Sequence, residues 1–289
     1  MKKMIAVICL AIILVVVVVM YKFFVFHSPR DTSSIFPKKQ YVIAHRGGSK
    51  VAPENTMAAF KLSSALGVPF ELDTMLSRDG QFVVFHDKTL ERTTDGEGRL
   101  VDKTAVELAA LDAGSHFSHE YSDEGVQRLE DVLDSFADKQ TIIIEVKCKG
   151  DTCNEKMYAK ALVDLLERKN LKGKVLVASF NPFILAEVKK ADPSIFRAQI
   201  YSDFKGEDLP IYEKVLVRNL LLNRFSSPDA LMVNYKLVDE GYVAKMHDHG
   251  YKIFVWTVDE PDEMRRLLSL GVDGIITNEP VVLLGLMSR

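Results

Sequence analysis

Short apolar runs alternate with amphipathic segments along most of this sequence. The runs are rich in Val, Ile and Phe. The first pattern is typical of buried β-strands, and the second is typical of helices that pack on one face. We predict strands at 41–46, 69–76, 82–87, 141–147, 174–180, 195–202, 230–237, 251–258 and 273–277. We predict helices at 54–66, 129–138, 154–169, 182–191, 239–249 and 261–270.

This alternation indicates the fold class. Strands that alternate with helices form a parallel sheet covered by helices, and the number of strands predicts a (β/α)8 TIM-type barrel. Nine strands are predicted, one more than such a barrel contains. The surplus strand is 82–87, because an Asp-Gly pair, typical of a tight hairpin turn, separates it from 69–76. A hairpin strand is antiparallel, so we expect 82–87 to fold back on the end of 69–76.

The hairpin and the segment after it are the predicted departures from a plain barrel. If Asp79 and Gly80 are the two turn residues, Asp73 lies opposite His86, which makes a carboxylate and an imidazole neighbours. Residues 88–128 are polar and rich in turn-forming residues. A segment of this length between barrel strands predicts an insertion over the binding face.

An apolar segment precedes the predicted barrel. It begins after Lys2 and Lys3, and residues 23–26 extend it to about the length that a bilayer needs. The bulky residues at its end argue against cleavage as a signal peptide, and the two lysines favour a cytoplasmic N-terminus with the folded domain on the extracytoplasmic side. The predicted parts are a single-pass transmembrane signal anchor (1–27), a tether (28–40) and a folded domain (41–289).

Composition excludes one class of partner and leaves the redox state open. The formal net charge is −3, and no basic stripe with interleaved aromatic residues occurs, so we expect no nucleic-acid partner. Cys9 lies in the apolar segment. Cys148 and Cys153 are close enough in sequence to pair, and two free thiols fit the sequence equally well.

Charged residues and histidines stand at the ends of the predicted strands, and a barrel carries its active site at this face. Each has an ordinary explanation when taken alone, such as a salt-bridged strand face, a structural histidine or a core tryptophan. Their coincidence at successive strand ends favours a site instead. Pairs at i and i+2 also point to the same side of a strand. The candidate residues are His45, Arg46, Glu71, Asp73, His86, Glu145, Lys147 and Trp256.

These residue types together describe one chemistry. Three carboxylates that converge on a barrel mouth repel one another, and one divalent cation that prefers oxygen ligands, Ca²⁺ or Mg²⁺, would compensate them. Arg46 and Lys147 suit the oxygens of a phosphate. His45 and His86 suit general acid and base catalysis, without an order between them. The combination predicts metal-dependent hydrolysis of a phosphoester.

At these residues the chain resembles the glycerophosphodiester phosphodiesterase family. The similar stretches run in order from about residue 41 to residue 280, and they are "AHRGGSKVAPENTMAAF", "ELDTMLSRDGQFVVFHDKTLERTTDGEG", "LEDVL", "IIIEVK" and "VWTVDEPDEMRRLLSLGVDGIITNEP". The resemblance implies a (β/α)8 barrel with this hairpin and insertion. It implies that Glu71, Asp73 and Glu145 bind the metal, that His45 and His86 are catalytic, that Arg46 and Lys147 contact phosphate, and that Trp256 lines the glycerol side.

The predicted function is therefore hydrolysis of glycerophosphodiesters to glycerol 3-phosphate and an alcohol by a membrane-anchored enzyme. One alternative is a lysophospholipase D that acts on lysophospholipids in the membrane, provided that the insertion leaves room for an acyl chain. A second alternative is a membrane-anchored barrel that binds phosphodiesters without turning them over.

Overall fold

The central element of the described chain is a closed barrel of eight parallel strands. The structure is a computed structural model and describes residues 2–25, 27–148, 153–202, 220 and 222–288. Its strands are β1 (Tyr41–Ala44), β2 (Phe70–Leu76), β3 (Phe82–Val84), β4 (Ile142–Val146), β5 (Val175–Ser179), β6 (Phe196–Tyr201), β7 (Ala230–Asn234), β8 (Lys252–Trp256) and β9 (Gly274–Thr277). The barrel closes because β1 pairs in parallel with both β2 and β9. The predicted fold class is confirmed.

Helices pack around this barrel, and α1 precedes it in the chain. Those described are α1 (Lys2–Val25), α2 (Met57–Ala65), α3 (Ala105–Ala109), α4 (Leu129–Phe136), α5 (Glu155–Arg168), α6 (Pro182–Ala191), α7 (Asn223–Ser226), α8 (Glu240–Asp248), α9 (Pro261–Leu270) and α10 (Pro280–Met287). The six helices predicted around the barrel are all present. The sequence pattern missed α3 and α7 because they are too short for a period to show, and it missed α10 because its sequence is apolar on nearly every side.

The hairpin is present, but its predicted register was wrong by one residue. Strand β3 pairs antiparallel with β2, and the observed pairs are Thr74 with Val84, Met75 with Val83, and Leu76 with Phe82. The turn holds three residues in place of two, because the Ser77 N–H donates to Gln81 O (2.9 Å) and Gly80 has a φ of +75°. An Asp-Gly pair fits this longer turn as well as the shorter one. Phe85, not His86, therefore lies beside Asp73 on the neighbouring strand.

The interior of the barrel changes from apolar to acidic along its strands. Successive inward positions on β4 are Ile143 and Glu145, two residues apart, as alternation along a strand requires. The apolar part of the interior includes Tyr41, Ile43, Ile143, Leu176, Phe196, Ala230 and Phe254. The apolar end lies at the N-terminal ends of the strands, which we call the floor, and the acidic end lies at the C-terminal ends, which we call the mouth.

Residues of the predicted tether close the floor. Phe36 and Ile35 are buried, and the Phe36 ring lies 5.1 Å from the Tyr41 ring and 4.8 Å from the Phe254 ring. The Thr141 hydroxyl donates to Ile35 O (2.6 Å) just before β4 begins. The segment between α1 and β1 therefore contacts the barrel. The domain boundaries at 27, 40 and 41 remain predictions.

Phe36 is expected to contribute strongly to stability. Phe36→Ala would leave a cavity between Tyr41 and Phe254, and truncation of a buried phenylalanine costs about 3–5 kcal/mol of unfolding free energy. Urea unfolding of both proteins would measure the difference. Phe117→Ala is the matched control, because Phe117 is 39% exposed, and we expect a much smaller loss. Equal losses of unfolding free energy in the two variants would contradict the contribution of Phe36 to packing at the barrel floor.

The insertion 88–128 has a small core of its own and packs on the hairpin. Met75, Val83 and Phe85 from the hairpin pack against Leu100 and Leu108. Because the hairpin extends beyond the end of β2, the insertion lies on the mouth side of the barrel. Near the N-terminus, α1 contains a 19-residue segment, Lys3–Tyr21, that is long and apolar enough to cross a membrane or to form a signal sequence.

Candidate active site

Three carboxylates meet inside the mouth. Glu71 and Asp73 project from β2, and Asp73 pairs in register with Glu145 on the neighbouring β4. All three residues are buried, and one carboxylate oxygen from each lies within 4.8 Å of the others. The parallel pairing of two strands thus concentrates three like charges in one buried place.

Two cations and an amide lie against these carboxylates. Lys147 Nζ lies 3.1 Å from Asp73 Oδ1 and 2.5 Å from Glu145 Oε1, and Arg46 Nε lies 3.2 Å from Asp73 Oδ2. The Arg46 backbone N–H donates to Glu71 Oε2 (3.1 Å), and Asn55 Nδ2 donates to Asp73 Oδ2 (2.9 Å). The cluster therefore contains three acidic and two basic side chains.

The three carboxylates differ in acidity because their surroundings differ. Burial and then the charges of Asp73 and Glu145 raise the pKa of Glu71 well above its usual value. Burial also acts on Asp73, but the charges of Lys147 and Arg46 outweigh it and lower the pKa of that carboxyl. Burial raises the pKa of Glu145, although Lys147 opposes the shift. Glu71 is the carboxylate whose negative charge is least compensated.

The triad fits an oxygen-preferring cation. Glu71 Oε1 is buried and accepts no hydrogen bond from the described residues, whereas Asp73 Oδ1 and Glu145 Oε1 share the Lys147 ammonium (3.1 and 2.5 Å). Buried acceptors without donors cost free energy, and carboxylate oxygens grouped in this way are the ligands that Ca²⁺ and Mg²⁺ prefer. The three residues could hold a divalent cation.

His45 is oriented by the end of the last barrel strand. Its Nδ1–H donates to Asn278 Oδ1 (2.7 Å), and Asn278 Nδ2 donates to Asp259 Oδ2 (2.8 Å). With Nδ1 engaged as a donor, the neutral ring presents Nε2, which lies 4.0 Å from Glu71 Oε2. Burial and then the charge of Arg46 lower the pKa of His45 to about 4. The imidazole is therefore neutral at pH 7.

His86 is oriented by a carboxylate. His86 Nδ1 lies 2.6 Å from Asp87 Oδ1, and Asp87 is in turn bound by Arg92. Arg92 also donates to both oxygens of Glu54 (2.9 and 2.7 Å), and Arg46 donates to Glu54 Oε1 (2.8 Å). A chain of charged hydrogen bonds thus connects the two parts of the site, from His86 to Arg46.

A left-handed turn places Arg46. Its φ is 52°, and the two glycines after it have φ values of +82° and +101°. A Cβ on Gly47 would lie 2.6 Å from Ala59 Cβ, so only glycine fits there. This backbone, which is unusual for a non-glycine residue, turns the Arg46 N–H towards Glu71 and its side chain towards Asp73.

A cavity of about 1380 Å³ opens from this cluster. Trp256, the last residue of β8, lines this cavity and packs edge-on against Phe180 (5.5 Å between ring centroids), and its Nε1 is buried without a hydrogen-bond partner among the described residues. The outer part is lined by apolar side chains and by three basic ones. The outer residues include Met75, Leu76, Val101, Met157, Phe183, Arg78, Lys88 and Arg99.

A disulfide also borders this cavity. Cys148 and Cys153 are bonded, with Cα atoms 5.1 Å apart, and both line the cavity just beyond Lys147. The sequence left this pairing open. The residues between the two cysteines lie outside those that the structure describes.

The structure brings all eight predicted residues to one place. Seven of them line the cavity, and Asp73 lies behind them in the acidic cluster. Their individual roles stay predictions. Sequence reasoning missed several partners that orient them: Asp87, Arg92, Asp259 and Asn278. A signal for Asn278 was present, because it directly follows a barrel strand, as His45 does.

Comparisons with known proteins agree with this geometry. A sequence model described as the glycerophosphoryl diester phosphodiesterase family matches residues 45–282. A glycerophosphodiester phosphodiesterase of Caldanaerobacter subterraneus subsp. tengcongensis is 34% identical over 252 residues, which is 87% of this chain and 99% of that protein. One from Bacillus subtilis is 30% identical over 257 residues, 84% of this chain and 85% of that protein. A solved phosphodiesterase structure from Oleispira antarctica, in complex with the product sn-glycerol-3-phosphate, aligns with a TM-score of 0.74 and 30% identity and covers 86% of this chain and 97% of that one.

Proposed function

Because this chain belongs to the glycerophosphoryl diester phosphodiesterase family and is a phosphodiesterase that hydrolyses glycerophosphodiesters, we propose that it splits them into glycerol 3-phosphate and an alcohol with one divalent cation and two histidines. The observation that carries this proposal is the buried triad Glu71, Asp73 and Glu145 between His45 and His86 at one cavity. The metal, the histidine roles and the products are the proposed part.

Glu71, Asp73 and Glu145 would hold the cation. When bound, Ca²⁺ or Mg²⁺ would supply positive charge that stabilises the charge developing on the phosphate. Arg46 and Lys147 line the same cavity, and their side chains are 15% and 21% exposed, so both reach the space that a phosphate would enter. We assign the phosphate oxygens to these two side chains. Trp256 Nε1, which has no hydrogen-bond partner in the described part of the chain, suits a hydroxyl of the glycerol.

The two histidines have different neighbours, which suggests different roles. Neutral His45, held through Nδ1 by Asn278, presents Nε2 as a proton acceptor for the nucleophile, which is water or a hydroxyl of the substrate's glycerol. His86 is held at Nδ1 by the Asp87 carboxylate (2.6 Å), an arrangement that suits a proton donor. We therefore assign His45 as the base and His86 as the acid that protonates the leaving alcohol.

Helix α1 and the disulfide support a proposed location. We propose that α1 is an uncleaved single-pass anchor with residues 41–289 as the catalytic domain. A disulfide next to the site favours the extracytoplasmic side, because disulfides persist in oxidising compartments. Membrane fractionation of the full chain, with protease added to intact cells, would test both the anchor and its orientation.

A second candidate function is hydrolysis of lysophospholipids. The apolar side chains in the outer cavity, among them Met75, Val101 and Met157, could accommodate an acyl chain. The deciding comparison is the rate of choline release from glycerophosphocholine against the rate of choline release from lysophosphatidylcholine in micelles.

The proposed function is tested with the full chain in detergent. Glycerol 3-phosphate release from glycerophosphocholine is measured with Ca²⁺, with Mg²⁺ and with chelator, beside Glu145→Ala and the matched control Glu167→Ala, whose side chain is 63% exposed on α5. We expect release that needs a cation, persists in the control and is lost in Glu145→Ala. Release that is insensitive to chelator, or the absence of release from any diester, would contradict the proposal and favour a barrel that only binds.

Asn278 is expected to act as a positioning residue. Asn278→Ala removes the acceptor that orients His45, so we expect kcat to fall by roughly 10-fold to 100-fold, as with other residues that orient a reacting group, while KM changes little. Steady-state kinetics measure kcat and KM separately. A change confined to KM would contradict this role.

A further inference from the structure

Residues 27–36 contact the floor of the barrel, whereas the acidic cluster lies at the mouth. We propose that this attachment holds the mouth away from the bilayer in which α1 is anchored, so that the substrate arrives from the aqueous phase and not from that bilayer. The inference rests on the proposed anchor and the proposed phosphodiesterase activity. It also chooses between the two candidate substrate classes.

The attachment begins directly after α1. Helix α1 ends at Val25, and His27 Nε2 already lies 3.0 Å from Pro228 O, just before β7 begins. Only one residue separates these two positions. The first contact with the floor therefore comes within two residues of the last described residue of α1.

Arg30 forms the strongest part of the attachment. Its guanidinium donates to both carboxylate oxygens of Asp229 (2.9 and 2.6 Å) and to Pro193 O (2.6 Å) and Ile195 O (2.7 Å). It also lies 4.7 Å from the centre of the Phe196 ring. The Asp229 side chain is fully buried, and a paired, desolvated carboxylate of this kind is costly to break. All four partners stand at the N-terminal ends of β6 and β7.

Phe36 and Ile35 complete the attachment by filling the barrel floor, as described above. Between His27 and Phe36 the segment thus contacts the barrel through a backbone carbonyl, an ion pair and two buried side chains. A flexible segment of the length of 28–40 would reach on the order of 20 Å and would let the domain turn over. The fixed segment does not.

The two ends of the barrel are separated by the length of its strands. A five-residue strand such as β4 spans roughly 16 Å, and the hairpin and insertion extend the mouth further from the floor. A lysophospholipid in the anchoring bilayer would therefore have to leave that bilayer completely, with its chain in water, to reach Glu145. A dissolved glycerophosphodiester enters the mouth without this obstacle.

The orientation is tested by energy transfer from labels on the protein to a dye in the lipid headgroup layer. The full chain, with Cys9→Ser to avoid labelling in α1, is reconstituted in liposomes and carries one label at Asp138→Cys or at Val106→Cys. Asp138 precedes β4 on the floor side and is 86% exposed, whereas Val106 is 80% exposed on the insertion, next to the hairpin tip. We expect strong transfer from position 138 and weak transfer from position 106.

A loosened variant is the matched control. Arg30→Ala combined with a Gly/Ser insertion between His27 and Ser28 should remove the difference in transfer between the two labels, while glycerophosphocholine hydrolysis shows that the barrel is still folded. In the protein with Arg30 and the original segment, equal energy transfer from the two labels, or stronger transfer from position 106, would overturn the proposal. Loss of the protein from the liposomes would also overturn it, because α1 would then not be an anchor.

A substrate comparison adds an independent readout. With the attachment intact, lysophosphatidylcholine in the anchoring bilayer should be hydrolysed at least about tenfold more slowly than in detergent micelles, because its acyl chain holds it in the bilayer. In the loosened variant, the rate of hydrolysis in the bilayer should come closer to the rate in micelles. Equal rates in both settings would overturn the proposal. A lack of glycerophosphocholine hydrolysis would instead contradict the proposed function and leave the label distances to decide the orientation.

Discussion

Replacing either His45 or His86 by alanine is expected to lower kcat for release of glycerol 3-phosphate by roughly 10²–10⁴-fold, because each side chain would transfer one proton in the reaction. Binding of a divalent cation should persist in both variants, since neither histidine belongs to the acidic triad. His119→Ala is the matched control: His119 lies exposed on the insertion, and we expect its loss to leave the rate unchanged.

The same variants test which histidine has which role. A diester with a p-nitrophenolate leaving group needs little protonation as it departs, so it should recover much of the rate of His86→Ala and little of that of His45→Ala. The double variant should lose less than the product of the two single losses, as groups that act together do. Recovery of His45→Ala in place of His86→Ala would reverse our assignment, and full activity in both single variants would refute it.

The second large effect concerns the acidic triad. Glu71→Gln is expected to abolish cation-dependent activity and yet to stabilise the cation-free protein. The reason is that Glu71 is buried beside Asp73 and Glu145, which raises its pKa well above the usual value. A carboxyl whose pKa is raised on folding stabilises the protein below its unfolded-state pKa, and this contribution is lost as the pH rises towards the raised value. The contribution of Glu71 to the stability of the cation-free protein should therefore fall as the pH rises above about 4.5, and the difference in stability between the wild-type protein and Glu71→Gln isolates it.

Thermal unfolding at pH 5 and pH 8, with Ca²⁺, with Mg²⁺ and with chelator, measures this effect. A cation at about 100 times its Kd should stabilise the wild-type protein by about 2.7 kcal/mol, and Glu71→Gln should lose this gain. Glu167→Gln, on the exposed face of α5, is the control. An unchanged response to cations in Glu71→Gln, or a cation-free Glu71→Gln that is less stable than the wild-type protein at pH 8, would contradict a cation site at the triad.

Much of the site was predictable because a barrel places strand ends together. Asp73 and Glu145 are far apart in sequence, but parallel pairing of β2 with β4 makes them direct neighbours. Any residue at the end of a barrel strand therefore belongs to the mouth, and the periodicity of the sequence is enough to locate those ends. This rule found His45, Glu145 and Trp256, and applied to β9 it would also have found Asn278.

Other features depended on contacts that periodicity does not encode. The hairpin register depended on whether the turn held two or three residues, and Asp79-Gly80 suits both. The partners of the catalytic candidates, such as Asp87 and Arg92, are ordinary polar residues until the insertion folds over them. Their roles are fixed by side-chain geometry at distances of about one hydrogen bond.

The sequence by itself determined the barrel and its strand ends, which depend on a repeating pattern along the chain, and the helix α1, which depends on a continuous apolar run. Only the tertiary structure decided that the segment after α1 is fastened to the floor by Arg30 and Phe36. That segment is polar and without a period, and therefore resembles a loose tether. Its attachment depends on a buried carboxylate and an open barrel floor that exist only once distant strands have closed into the barrel.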